Sequence, residues 1–279
     1  MDTFTLPTAT ARARLWIFAI ITCASGWIGL LVNRVLGTPD SMESPAALIW
    51  ISTPLLAGAL LAITDRSFRS TYVKSWGFGK LREYGIAIAA FPIALFITLG
   101  AGYGFGWLSL LQLGTYVGPI IAAIVPTIVK NVAEEGAWRG FLVPALVAHQ
   151  SSDIKVWLIS GTIWALWHLP YYVYLLDESL IRAVWDVPPL IYALTGILIM
   201  VCWAPLFSEL RIRSGSILPG VIAHSIANLS QIPVSLGGLP IRPGRELLVS
   251  PLIGVIHLGV IVAIGVALWK QRNPKLQSS

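Results

Sequence analysis

The amino-acid sequence predicts an all-α fold, a polytopic bundle of about eight transmembrane helices with both termini cytoplasmic, and three observations carry that expectation. Only 11% of the 279 residues are charged while 56% are hydrophobic, against roughly 25% charged in a soluble globular domain. The apolar residues come in blocks of about 20 separated by short polar segments, the length a helix needs to cross a hydrocarbon core about 30 Å thick. The basic residues gather in alternate connections between those blocks, as membrane topology requires.

The first block runs from Leu15 to about Leu36. Arg12 and Arg14 before it imitate the start of a signal peptide, but the run is too long for one and further blocks follow, so a retained span is expected. The remaining blocks lie near residues 46–64, 84–110, 116–148, 156–176, 189–207, 217–236 and 247–269. The third and fourth exceed a simple span, an excess that tilt, a kink or a cytoplasmic extension absorbs. Pro126 marks the expected kink. Cys23 and Cys202 fall inside apolar stretches and read as small buried hydrophobes. No internal repeat and no Pro/Gly/Ser linker divides the chain. Residues 1–279 are therefore expected to form a single membrane-embedded domain, with its motifs between residues 116 and 236.

With the N-terminus inside, the cytoplasmic segments hold Arg12, Arg14, Arg66, Arg69, Lys74, Lys80, Arg82, Lys155, Arg211, Arg213, Lys270, Arg272 and Lys275. The opposite connections hold only Arg34, Arg182, Arg242 and Arg245. That ratio of 13 to 4 places both termini in the cytoplasm. Topology thus accounts for the net charge of +6, and no nucleic-acid partner is expected.

An ionisable residue inside a span costs at least a few kcal/mol and is a functional hypothesis by default. Glu134 and Glu135 qualify, within Glu134-Glu135-Gly136-Ala137-Trp138-Arg139. On a helix Glu135 and Arg139 stand at i and i+4 and can pair, which leaves Glu134 on another face, available for chemistry. The plain structural alternative has both carboxylates satisfied by Lys130 and Arg139. Trp164 and His168 share a face one turn apart in the fifth block, and His224 and Asn228 share one in the seventh. At 1.5 Å per residue, Glu134 lies roughly 20 Å from the loop near Gln150, His168 roughly 20 Å from Lys155 and His224 roughly 16 Å from Arg213. Three helices thus present ionisable groups in one layer around mid-membrane. His149 and His257 read as packing residues.

Glu134-Glu135-x-x-x-Arg139, an aromatic-x-x-x-His ending at His168, and His224-x-x-x-Asn228, in this order on three hydrophobic helices, resemble the CPBP family. That family joins the type II CAAX prenyl endopeptidases with bacterial homologues called abortive infection or bacteriocin-immunity proteins. The motifs cover about 95 residues, and Trp164 stands where family members often have Phe. The resemblance implies an intramembrane endopeptidase in which Glu134 activates a water with help from His168, His224 and Asn228 stabilise the oxyanion, and Glu135 and Arg139 position the first helix of the site. Elementary chemistry agrees: a carboxylate can accept a proton from water with a nearby imidazole sharing it, and preset donors stabilise the oxyanion. Neither cysteine lies in a motif and Ser225 points off the His224/Asn228 face, which favours attack by water over covalent catalysis.

Glu134, His168 and His224 are also a possible zinc set, although the His-Glu-x-x-His signature is absent and the same residues suit a metal-free mechanism. No cofactor is required by the sequence. A proton-coupled transporter would spread relay groups across the membrane, and a non-catalytic scaffold or immunity protein would keep the fold without needing a base. The expected partners are membrane lipid and a peptide or protein substrate, approached from the cytoplasmic side or the bilayer. The compact chain suits a multi-pass protein of a bacterial plasma membrane.

Overall fold

The computed structural model describes residues 8–109, 113–149 and 151–273; Gln150 and Lys275, used above as topological markers, lie outside them. Helix α1 (Thr8–Leu36) and helix α2 (Pro45–Ile63) form the first hairpin. Asn33 fixes its turn, donating from Nδ2 to Asp40 at 2.8 Å and accepting the Ala46 amide at 3.0 Å, so one side chain satisfies an N–H that the start of α2 leaves free. The short helix α3 (Arg66–Lys74) is capped by Asp65, which accepts the Ser67 amide.

Helix α4 (Arg82–Gly104) is followed by the longest apolar run: helix α5 (Val117–Glu135), a π-helical segment Gly136–Leu142 and helix α6 (Val143–Ala148). Helix α7 (Asp153–Pro170) continues into a second π segment, Tyr171–Leu175, then helix α8 (Glu178–Val184). Helix α9 (Pro189–Ser214), helix α10 (Leu218–Ser235), the single turn α11 (Glu246–Val249) and helix α12 (Val255–Arg272) complete the bundle. Among the described residues no strand forms; Leu108 and Ile241 make one isolated antiparallel bridge.

Among the described residues six stretches are long and apolar enough to cross a membrane: Arg12–Leu36, Pro45–Ile63, Arg82–Gly104, Gly114–Ala148, Pro189–Ser214 and Val255–Arg272. The fifth and seventh expected spans are α7 and α10, of 18 residues each, about 27 Å at 1.5 Å per residue. Their length suffices, but their polar residues keep them out of the apolar six. Four boundaries differ from the sequence reading by six residues or more. Helix α1 already begins at Thr8, ahead of residue 15. Helix α4 stops at Gly104, short of residue 110. Helix α9 runs on past residue 207, because Glu209 and Arg213 find ionic partners in neighbouring helices. The last span starts at Val255, with Ser250 to Gly254 spent on a turn.

Pro126 lies inside a continuous α5; the regular α-helical register is lost further on, at Gly136, and Pro144 explains part of that change. The Val143 amide bonds to the Trp138 carbonyl, five residues back, and Pro144 has no N–H to offer the next carbonyl. The Arg139 carbonyl is instead satisfied by Arg211 Nε of α9, at 2.7 Å. Arg211→Met therefore strands a buried carbonyl and is expected to cost about 1–3 kcal/mol, measured as a shift in unfolding of the detergent-solubilised protein; no shift would mean that the π segment needs no such prop.

Helix α9 packs against α4, α7 and α12, and α1 against α2 and α7. Without a hydrophobic drive between helices in lipid, close packing and interhelical hydrogen bonds must hold the bundle. Gly161 permits one such approach, since a Cβ there would stand 2.8 Å from the Val201 Cα of α9. Trp50 of α2 and Trp167 of α7 stack with ring centroids 4.2 Å apart and exchange indole hydrogen bonds to each other's carbonyls at 2.9 and 3.0 Å. At the end of the bundle that carries most basic residues, Arg272 joins Asp153 and Glu209, and Arg213 joins Glu83.

Candidate active site

The site grows from the last turns of α5. Lys130 and Glu134, one turn apart, pair at 2.8 Å, and Glu135 and Arg139 pair at 3.2 Å across the start of the π segment. Two anions and two cations thus sit together in the bundle interior, the condition under which such charges are tolerated there. Arg139 is only 2% exposed. Its guanidinium lies 4.3 Å from the Trp164 ring centroid and 4.5 Å from that of Phe207, a desolvated cation–π sandwich.

Trp164 is the hub that brings the sequence motifs together. Its indole N–H donates to Glu134 Oε2 at 3.0 Å, and its ring touches both imidazoles, with centroids 6.0 Å from His168 and 5.4 Å from His224. His168 places Nδ1 2.9 Å from the Trp164 carbonyl. A carbonyl only accepts, so Nδ1 carries the proton and Nε2 is left free to accept in the neutral ring. His224 places Nδ1 3.0 Å from Glu135 Oε1, a carboxylate that orients the ring in the same way. Gly220, one turn earlier on α10, lets that carboxylate in, because a Cβ at this position would lie 2.6 Å from Glu135 Oε2. Asn228 donates to Asn131 Oδ1 at 3.1 Å, and Asn131 donates to Ser225 Oγ at 3.2 Å.

Six of the seven residues singled out in the sequence are joined by hydrogen bonds, ion pairs or ring contacts, and the seventh, Asn228, lines the same cavity as His168 and His224, with two differences from their expected settings. Glu134 is not left unpartnered by the Glu135–Arg139 pair, since Lys130 and Trp164 hold its two oxygens. Trp164 is more than an aromatic wall, because it donates to the carboxylate. Lys130 and Asn131 enter the cluster as further members. Both stand four residues before a motif glutamate, so the spacing that joined Glu135 to Arg139 also pointed to them.

Above the cluster lies a cavity of about 460 Å³. Lys130, His168, His224 and Asn228 form its polar floor, and Trp50, Tyr171, Tyr172 and Tyr192 contribute aromatic walls. Glu134 is outside this lining; its side chain is 1% exposed and is reached past the Lys130 ammonium. Among the described residues no three His, Cys, Asp or Glu side chains come together as a group able to hold a metal ion. Glu134, His168 and His224 therefore do not form such a group as arranged, while the engaged Nδ1 atoms leave Nε2 of both imidazoles as the free ring positions.

An all-α membrane bundle with carboxylates, imidazoles and an amide assembled in its interior, beneath an apolar cavity, has the build of an intramembrane protease. Residues 116–230 match the family described as Rce1-like, type II CAAX prenyl endopeptidase Rce1-like. The matched segment contains Glu134, Glu135, Arg139, Trp164, His168, His224 and Asn228. No curated protein matches the chain.

Proposed function

We propose that this protein hydrolyses a peptide bond inside the bundle with water as the nucleophile and no resident metal. The observation that carries the reading is the convergence on Trp164 of the Glu134 carboxylate and the two motif imidazoles. Glu134 removes a proton from water as the water oxygen bonds to the scissile carbonyl carbon. That proton then passes to the departing amide nitrogen as the C–N bond breaks. His168, with Nε2 on the cavity floor, shares the proton, and His224 and Asn228 donate to the oxyanion. His224 can do so from Nε2 when both ring nitrogens are protonated, with Glu135 balancing the charge.

Lys130 must move for water to reach Glu134. Its side chain is 32% exposed and ends a flexible stem, so it can swing into the cavity without leaving polar surroundings. The Lys130–Glu134 pair also supports a second reading, a non-catalytic scaffold in which the ion pair is purely structural. Purified protein in lipid nanodiscs, given a peptide library and followed by mass spectrometry, separates the two. The peptidase reading expects new termini with wild type and none with Glu134→Gln; identical products, or none from either, would leave the scaffold.

Trp164→Phe keeps an aromatic ring but removes the donor to Glu134 Oε2. A hydrogen bond to a charged group is worth roughly 1.5–3 kcal/mol, so kcat is expected to fall about 10-fold or more with KM little changed. An effect confined to KM would show that Trp164 shapes the cavity and does not position the base. The natural setting proposed is a bacterial plasma membrane, with a peptide or membrane protein as substrate.

A further inference from the structure

We infer that the candidate site opens to the extracytoplasmic face, and that its substrate is a polypeptide segment presented from that face with an apolar side chain for the aromatic walls. The inference rests on the peptidase reading for the word substrate, but its geometry stands apart from catalysis. The chain's connections fall into two sets at opposite ends of the bundle. One end carries Thr8 of α1, Arg272 of α12 and the connections rich in Lys and Arg. The other carries four arginines, Arg34, Arg182, Arg242 and Arg245, against six acidic residues, Asp40, Glu43, Asp177, Glu178, Asp186 and Glu246. The charge rule for membrane topology places the first end in the cytoplasm.

The cavity belongs to the second end. Its upper lining comes from Met42 before α2, Pro119 in the first turn of α5, Leu180 of α8, Leu236 after α10 and Leu252 before α12. All of these lie on or beside the acidic-end connections. Leu236 is eight residues beyond Asn228 and Pro119 eleven before Lys130, which puts the polar floor about 12–16 Å below the rim. Below the floor the way is closed towards the basic end. Trp138, Trp164, Phe207 and Arg139 are buried there and packed ring on ring and ring on guanidinium. The expectation of access from the cytoplasmic side rested on depth along single helices, which sets the level of a residue and not the end from which it is reached.

The test is thiol accessibility in a Cys23→Ala/Cys202→Ala background. Spheroplasts expressing Ala123→Cys on the cavity wall, Leu236→Cys on the rim or Lys74→Cys on α3 are treated with membrane-impermeant sulfonatoethyl methanethiosulfonate. Ala123→Cys and Leu236→Cys are expected to react in intact spheroplasts and Lys74→Cys only after lysis. Protection of Ala123→Cys until lysis overturns the proposal, and Leu236→Cys decides the face if the deeper variant is not produced. Adding Glu134→Gln leaves the labelling pattern unchanged, because access needs no chemistry. Expected labelling without peptide cleavage would therefore sink only the peptidase reading, and cleavage with reversed labelling only the inference about the face.

Discussion

Glu134→Gln is expected to lower peptide turnover by about 10³-fold while leaving the fold in place. Positioned acid–base groups commonly supply 10²–10⁴-fold, and here no other carboxylate can substitute. Glu135 is committed to Arg139 and His224 at 3.2 and 3.0 Å. Glutamine has the shape of glutamate and its amide oxygen still accepts the Trp164 indole, so the hub survives. What disappears is the negative charge, both as base and as partner of Lys130. Because the lysine reaches the cavity, its loss of a partner resembles the breaking of a partly exposed ion pair, worth about 1 kcal/mol or less. Turnover and thermal unfolding measured on the same preparation separate the two effects. A Gln variant that retains more than a tenth of wild-type turnover would remove Glu134 from the role of base, and one that unfolds would show the Lys130 pair to be a structural necessity.

Much of this arrangement is legible in the sequence because helices impose a fixed period. Glu135 and Arg139, Trp164 and His168, and His224 and Asn228 each occupy one face through i,i+4 spacing, and the structure joins the three pairs through Trp164. The spans were legible because lipid demands apolar length, with errors where polar residues find partners across the bundle, as Glu209 does with Arg272. The π segment was not legible from Pro126, since a proline can be carried within a helix whose neighbours satisfy the freed carbonyl. Its local sign was Pro144, and its other half is Arg211, 72 residues away from the carbonyl it serves. The Lys130–Glu134 pair was available from spacing alone; whether it forms in preference to an open carboxylate depends on how α7 and α10 pack around it. The end at which the cavity opens belongs to side-chain packing across helices, and periodicity along one helix carries no information about it.

Arg139→Met is expected to be the most destabilising single change at the site, by about 3–5 kcal/mol, the usual result of stripping one partner from a buried ion pair. Glu135 is fully buried, and without Arg139 only the His224 Nδ1 contact remains to its carboxylate, whose Oε2 already lacks a hydrogen bond among the described residues. The loss has a second source, because methionine fills the slot between Trp164 and Phe207 but cannot reproduce the attraction of a cation to two ring faces. Arg139→Lys restores charge without the planar fork and is expected to fall between the two. Glu135→Gln added to Arg139→Met removes the stranded anion, so the double variant should lose less than the two single changes predict, by about 1–3 kcal/mol, the range for directly contacting residues. The measurement is unfolding in mixed micelles titrated with a denaturing detergent, read from tryptophan emission. An Arg139→Met protein within 1 kcal/mol of wild type, or single and double variants that simply add, would mean that the Glu135–Arg139 pair does not hold the π segment, and that Glu134 is positioned by Trp164 and Lys130 alone.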